Sequence, residues 1–391
     1  MYKILTLNKI DQEGLKVFPT TSYEIANETA NPDAIVLRSF SMHEWEIPSS
    51  VKAIARAGAG VNNIPIPKCT DKGIVVFNTP GANSNAVKEL VLAGLLLASR
   101  NIVGGIEWAK TLTAEGDKVP ALVEKGKSAF GGNEIKGKTL AVIGLGAIGV
   151  LVANAALSLG MKVIGYDPYI TVDNAWNLHH EIQGAKSIEA MLAQADFVTV
   201  HIPLMDATRG FINAEKLKMM KNGVKILNFA RGELVVNADI IKAIEEEKVA
   251  LYLTDFPNAE LLNAPKVVCI PHLGASTNES EVNCAIMAAE QIRNFIENGN
   301  IKNSVNFPAV EMDRNNGARI CITSKQASPV SAQINALLDK AGVKIDNMMN
   351  KSRNEVSYTI IDTKDAQVSQ DVINKIQSVE GVFTVRSIAA K

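Results

Sequence analysis

Residues 139–167, TLAVIGLGAIGVLVANAALSLGMKVIGYD, constrain the fold more than any other stretch of the chain. A short apolar run ends at Gly144, Gly146 and Gly149. Apolar residues at helical spacing follow (Ile148, Leu151, Val152, Ala155 and Leu159), and a second apolar run closes on Asp167. This succession predicts a strand, a glycine turn, a helix and a parallel strand, the βαβ unit that binds dinucleotides. The first glycine permits the tight turn, the second lets a pyrophosphate approach the backbone, and the third lets the helix pack close to the sheet. Free amides and the positive end of the helix dipole then face the phosphates. Asp167 stands where an acid accepts hydrogen bonds from the adenosine ribose, and its charge repels a 2′-phosphate. The expected cofactor is therefore NAD and not NADP. A second reading of Asp167, as the start of an Asp-Pro turn with Pro168, stays open.

A chain of 391 residues, 47 % of them apolar, predicts two or three domains, each with its own core. The formal net charge of −1 supplies no basic field for nucleic acid or an anionic membrane, so an anionic ligand must be held by local charges. The most apolar stretch, residues 90–98, is too short to span a bilayer, and the N-terminus MYKILTLNKI reads as a strand. A soluble, cytoplasmic protein is expected. Its four scattered cysteines read as buried reduced thiols, and no metal site is expected.

The organisation predicted is α/β: two doubly wound parallel-sheet (Rossmann-like) domains plus a small C-terminal α+β ferredoxin-like domain. Apolar runs alternating with polar segments up to about Thr79 suit a first parallel domain. The glycine loop and the strand candidates 197–201, 224–228, 250–255 and 267–270 suit a second. A helix over 87–99 connects them, and a capped helix after Ser276-Thr277-Asn278-Glu279 returns the chain to the first. The expected bounds are 1–97 with 280–300, then 98–279, a linker over 301–316 and a β-α-β-β-α-β module over 317–391. A polar linker of this kind predicts that removing everything from Arg314 onward leaves the catalytic part folded.

A bound nicotinamide implies hydride transfer, and the protein must add a carboxylate clamp and an acid/base group. His272 follows a strand candidate and opens the loop HLGAST, the position where open α/β sheets place ligands. His201 ends another strand, where lining the cofactor crevice and a structural role are both open. Arg231, in NFARGELV, can clamp a carboxylate in a bidentate way or serve a domain-interface ion pair. Asp255, in LYLTDF, can meet the nicotinamide carboxamide or cap a loop. Glu260 can orient His272 or stand solvated in a helical turn. In the first domain, Arg38-Ser39 and the amides of Gly58, Ala59, Gly60 and Val61 offer an anion site, against a surface ion pair for Arg38.

The motifs RAGAGVNNIP, NTPGANSNAVKEL, KTLAVIGLGAIG, IGYDPY, NFARGELV, TDF and PHLGAST occur in one order along nearly the whole chain. In this the chain resembles the D-2-hydroxyacid dehydrogenase family. The resemblance implies that Arg231 binds substrate, His272 is the acid/base and Glu260 is its carboxylate partner, although the segment between Asp255 and His272 is shorter than is usual. It implies cofactor contacts from Gly144, Gly146, Ala147, Ile148, Gly149, Asp167, His201, Pro203, Ala230 and Asp255. The AGAGV loop, Gly58 to Val61, would take the substrate carboxylate, with Arg38, Ser39 and Arg56 toward a phosphate. The implied fold is a split substrate domain and a nucleotide domain with the active site in the cleft between them, assembled as a homodimer or homotetramer. The implied reaction is NAD-dependent oxidation of a phosphorylated 2-hydroxy acid, D-3-phosphoglycerate, to 3-phosphohydroxypyruvate in serine synthesis. Another 2-hydroxy acid substrate and a non-catalytic NAD-sensing protein are the alternatives. The C-terminal module resembles an ACT domain, which implies serine or another small effector, although the loop 324–330 lacks the glycine usual there.

Overall fold

The computed structural model describes residues 1–326 and 328–390. Ala327, in the expected effector loop 324–330, and Lys391, the end of the expected C-terminal module, lie outside the described residues. The chain divides into two compact units, Met1–Asn83 with Asn278–Lys391, and Ser84–Thr277.

In the first unit the short apolar runs become β1 (Tyr2–Leu7), β2 (Tyr23–Ala26), β3 (Ala34–Leu37), β4 (Ala53–Arg56) and β5 (Val75–Phe77). They form one parallel sheet in the order β2-β1-β3-β4-β5. Every residue of β3 and β5 is buried, as a parallel strand covered on both faces requires. The helix Asn278–Asn298 lies on one face: its Ala285, Ala288, Ala289, Ile292 and Phe295 share a core with Ile4, Val36, Ala55 and Phe77.

The second unit holds β6 (Thr139–Ile143), β7 (Lys162–Tyr166), β8 (Gln183–Gly184), β9 (Phe197–Val200), β10 (Val224–Asn228), β11 (Val249–Thr254) and β12 (Val267–Cys269). All are parallel, in the order β12-β11-β10-β9-β6-β7-β8, so the direction of winding reverses between β6 and β9. The connecting helix runs Ser84–Ser99 and groups with this unit, which differs from the expected bound at residue 97. The reason is packing: its Val87, Val91, Leu95 and Ala98 are buried among Leu140, Val142, Val152 and Leu227. Among the described residues no helix is long and apolar enough to cross a membrane.

The C-terminal pattern folds as β13 (Arg319–Lys325), the helix Ser328–Lys340, β14 (Ile345–Arg353), β15 (Val356–Thr363), the helix Gln370–Gln377 and β16 (Val382–Ile388). The sheet is antiparallel, in the order β14-β15-β13-β16. Both faces are covered over β13 and β15, whereas β14 is largely exposed. Ile320, Ile322 and Ile361 pack on its own two helices, while Cys321, Tyr358 and Ile360, on the opposite face by strand alternation, join the core of the first unit.

Segment 301–316 departs from the expectation of a loose linker. Ile301, Phe307 and Val310 are fully buried, Ile301 and Val310 exchange backbone hydrogen bonds, and Asn306 accepts from the Val76 amide while donating to Ile74 O and Thr70 Oγ1. Single apolar residues spaced among polar ones carry no helix or strand period, so this docking left no periodic signal.

Candidate active site

In the Ser84–Thr277 unit the expected residues, Glu260 apart, follow the carboxyl ends of parallel strands. Gly144 follows β6, Asp167 follows β7, His201 and then Pro203 follow β9, Ala230 and Arg231 follow β10, Asp255 follows β11, and His272 follows β12. That edge is where open α/β sheets bind ligands.

The glycine loop has the shape its spacing predicts. Gly144 has φ +92°, and a Cβ there would stand 2.7 Å from His201 O, at the point where the winding reverses. A Cβ on Gly149 would stand 1.9 Å from Gly144 O, so the third glycine closes the turn. Around Gly146 a Cβ would meet nothing within 4 Å. The open space therefore lies at the second glycine, where Ala147, Ile148 and Gly149 begin the helix Ala147–Ser158 with no side-chain cap. A pyrophosphate fits this cradle. Asp167 is half-buried; its Oδ2 accepts from the Leu145 amide at 2.9 Å and its Oδ1 from the Tyr169 amide at 2.8 Å. It forms the turn, and lone pairs remain on both of its oxygens.

His201 Nε2 lies 3.0 Å from Thr199 Oγ1, and Nδ1 has no partner. Burial lowers its pKa to about 4, so the ring is neutral near pH 7 and suits hydrogen bonding to a ligand better than carrying charge. Pro203 is exposed, and its carbonyl accepts from Thr208 Oγ1.

The loop after β10 is organised by Asn228, a residue the sequence reading missed. Its Oδ1 accepts from the Ala230 amide at 3.1 Å, and its Nδ2 donates to Arg231 O at 2.8 Å. Arg231 is exposed and uses Nη1 on Ala230 O, which leaves other guanidinium donors free for a carboxylate. Asp255 is fully buried with no well-formed hydrogen bond to either oxygen. Burial raises its carboxyl, against the pull of His272, the approaching Gly274 amide and Arg231. The Phe256 ring lies 4.7 Å from the exposed His272 ring. Arg231 and His272 thus both exert an electrostatic pull on one buried carboxylate.

Glu260 stands apart. It is exposed on the four-residue helix Ala259–Leu262, and no hydrogen bond or ion pair joins it to His272 among the described residues. The cause is local: Asn258 caps that helix through the Leu261 amide and fixes a short turn before β12.

In the first unit, Arg38 and Ser39 follow β3, and the AGAGV loop follows β4. Asn8 Oδ1 accepts from the Ser39 amide at 3.1 Å and also from the Phe40 amide. Arg38 O accepts from Arg56 Nε at 3.0 Å and Asn63 Nδ2 at 3.1 Å, while Arg56 Nη1 donates to Gly60 O. Arg56 thus ties two loops together. Gly58 has φ +156°, and a Cβ there would press on the Arg56 guanidinium at 2.6 Å. The amides of Ala59, Gly60 and Val61 have no partner among the described residues. The Arg38 guanidinium is paired with Glu281, Nη1 to Oε1 at 2.7 Å.

Residues 92–274 match the family described as D-isomer specific 2-hydroxyacid dehydrogenase, NAD binding domain. Among curated relatives, a D-3-phosphoglycerate dehydrogenase of Methanocaldococcus jannaschii is 32% identical over 336 residues, 80% of this chain and 61% of that protein. One from Synechocystis sp. is 34% identical over 332 residues, 80% of this chain and 57% of that protein. The chain thus spans about three fifths of the length of these relatives. Among solved structures, NAD+-bound 3-phosphoglycerate dehydrogenase of Entamoeba histolytica superposes with a TM-score of 0.59 at 28% identity, over 78% of this chain and 98% of that one. Residues 92–274, which carry the glycine cradle and the strand ends at Arg231, Asp255 and His272, thus match the NAD-binding domain of the D-isomer specific 2-hydroxyacid dehydrogenases, and the chain is similar to D-3-phosphoglycerate dehydrogenases over 80% of its length.

Proposed function

We propose that this protein is an NAD-dependent oxidoreductase that converts D-3-phosphoglycerate to 3-phosphohydroxypyruvate, in serine biosynthesis. The observation that carries the reading is the placement of Arg231, Asp255 and His272 after the carboxyl ends of β10, β11 and β12, at the edge of the sheet that also holds the glycine cradle. NAD, when bound, supplies the acceptor for the hydride that leaves carbon 2 of the substrate. His272 takes the hydroxyl proton, and the buried negative charge of Asp255 stabilises the imidazolium that results. Arg231 holds the substrate carboxylate and polarises the forming carbonyl. The amides of residues 59–61 form a second cradle for an anionic group, and the buried position of Asp255 keeps water from its charge. In this reading Glu260 is not the partner of His272. Exposed Ile102 and Ile106, on a helix with no buried residue, support assembly as a homodimer or homotetramer. An effector such as serine would act at the C-terminal module.

The test is a panel assay of NADH oxidation with phosphohydroxypyruvate and unphosphorylated 2-keto acids. His272→Ala is expected to lose roughly 100-fold or more in turnover while keeping NAD binding. Arg231→Ala is expected to raise KM and also slow the chemistry. Near-normal turnover by His272→Ala would remove the acid/base assignment. A second reading, an unphosphorylated 2-keto acid as substrate, is favoured by one observation: Arg38 already has a carboxylate partner.

A further inference from the structure

The pairing of Arg38 and Glu281 bears on substrate charge, in an inference that rests on the phosphoglycerate reading. The backbone of Arg38 is held from two sides, with its carbonyl taken by Arg56 and Asn63 and the two following amides by Asn8. Arg56 is spent on the same loops. What remains adjustable is the Arg38 guanidinium, and Glu281, in the first turn of the helix Asn278–Asn298, occupies it. The two side chains are 39% and 43% exposed, so water screens the pair and it is readily exchanged.

A phosphate dianion carries more charge than a carboxylate and presents three acceptor oxygens, so it competes well for a guanidinium. It must displace Glu281 or share the arginine with a like charge. We propose that Glu281 is a specificity-determining residue, an internal carboxylate that occupies Arg38 and is exchanged for the phosphate of the substrate. The pair keeps the arginine from holding weaker anions and lowers the affinity for the phosphorylated substrate below what Arg38 alone would give.

The experiment compares the intact chain with its Glu281→Gln, Glu281→Asp and Arg38→Ala variants, each checked for folding by its melting temperature. KM is measured for phosphohydroxypyruvate and for glyoxylate, and inhibition by inorganic phosphate is measured against whichever acid is turned over. Glu281→Gln is expected to lower KM for phosphohydroxypyruvate and the inhibition constant of phosphate by roughly three- to tenfold, with KM for glyoxylate unmoved. Glu281→Asp keeps the charge and should move both by less than about twofold. Arg38→Ala should abolish the effect of Glu281→Gln. Equal changes for both acids, no change in phosphate inhibition, or a raised KM for phosphohydroxypyruvate in Glu281→Gln would each overturn the proposal. If no variant turns over phosphohydroxypyruvate, the phosphoglycerate reading fails, while phosphate inhibition still decides whether Glu281 competes for Arg38.

Discussion

Asp255 shows how a residue in a motif acquires its properties from burial. The sequence places it after a strand, but only the structure surrounds the carboxylate completely and leaves its oxygens without well-formed hydrogen bonds. Its folded pKa is raised above the unfolded value, so the folded state binds its proton more tightly than the unfolded chain. Stability from this group is therefore highest below the ordinary carboxylate pKa and declines as pH rises toward the raised value. Asp255→Asn is expected to flatten that decline and to raise the melting temperature near pH 7 by about 2 °C or more. It should also cut turnover by roughly tenfold or more, because the His272 imidazolium loses its counter-charge. Calorimetry between about pH 4 and pH 8, beside turnover, checks both. An unchanged pH slope would mean that the carboxylate is not strained by burial. The positions of Arg231, His272 and Asp167 at one sheet edge were legible because each follows a strand inside a motif. Glu260 was placed by its spacing from Asp255, and spacing does not report which way a short capped turn points its side chain.

At the scale of elements, the βαβ unit is the most legible part of the chain, because glycine spacing, helical period and the closing acid all constrain the same few residues. The structure separates two kinds of glycine that look alike in sequence. Gly149 is required by the fold, since a Cβ would overlap Gly144 O, whereas Gly146 borders open space with φ −73°, which alanine adopts freely. Gly149→Ala is expected to destabilise the protein by about 1–3 kcal/mol, the usual cost of overpacking. Gly146→Ala should leave melting within about 2 °C of the parent while weakening NAD by roughly tenfold or more, because its Cβ fills the phosphate cradle. Melting curves and an NAD titration on both variants distinguish the two roles. Equal NAD affinity for Gly146→Ala and the parent would place the pyrophosphate elsewhere.

At the scale of the molecule, the C-terminal sheet is part of the first unit's core. Side chains beyond residue 313 cap successive carbonyls at the end of the helix Asn278–Asn298. Arg386 donates to Phe295 O and Ile296 O, Arg314 to Glu297 O, Arg319 to Asn298 O and Tyr358 to Gly299 O. Phe295 O also accepts from the Gly299 amide at 2.9 Å, while the carbonyls of residues 296–298 belong to the last turn, which the helix end cannot satisfy itself. Arg319, fully buried, also makes a bidentate pair with Asp362 at 2.6 and 2.7 Å, and the Arg386 guanidinium lies 4.0 Å from the centre of the Phe295 ring. Deleting residues 314–391 is therefore expected to uncap that helix and expose Phe295 and Phe77. The sequence alone suggested the opposite outcome. Melting should fall by about 10 °C or more, with aggregation visible by light scattering. A truncated protein that melts like the full chain would show that the sheet is an appendage.

The sequence by itself determined the cofactor unit, most of the strands along its domain and the residues that follow them, because local spacing and the glycine turn fix these together. It also determined the β-α-β-β-α-β pattern of the C-terminal module. Only the tertiary structure decided that this module shares a core with the first sheet, that Glu281 rather than solvent meets Arg38, and that Glu260 stands exposed on a short capped turn. Each of these depends on contacts between residues far apart in the chain or on the direction of a short turn, and neither is encoded in a local period.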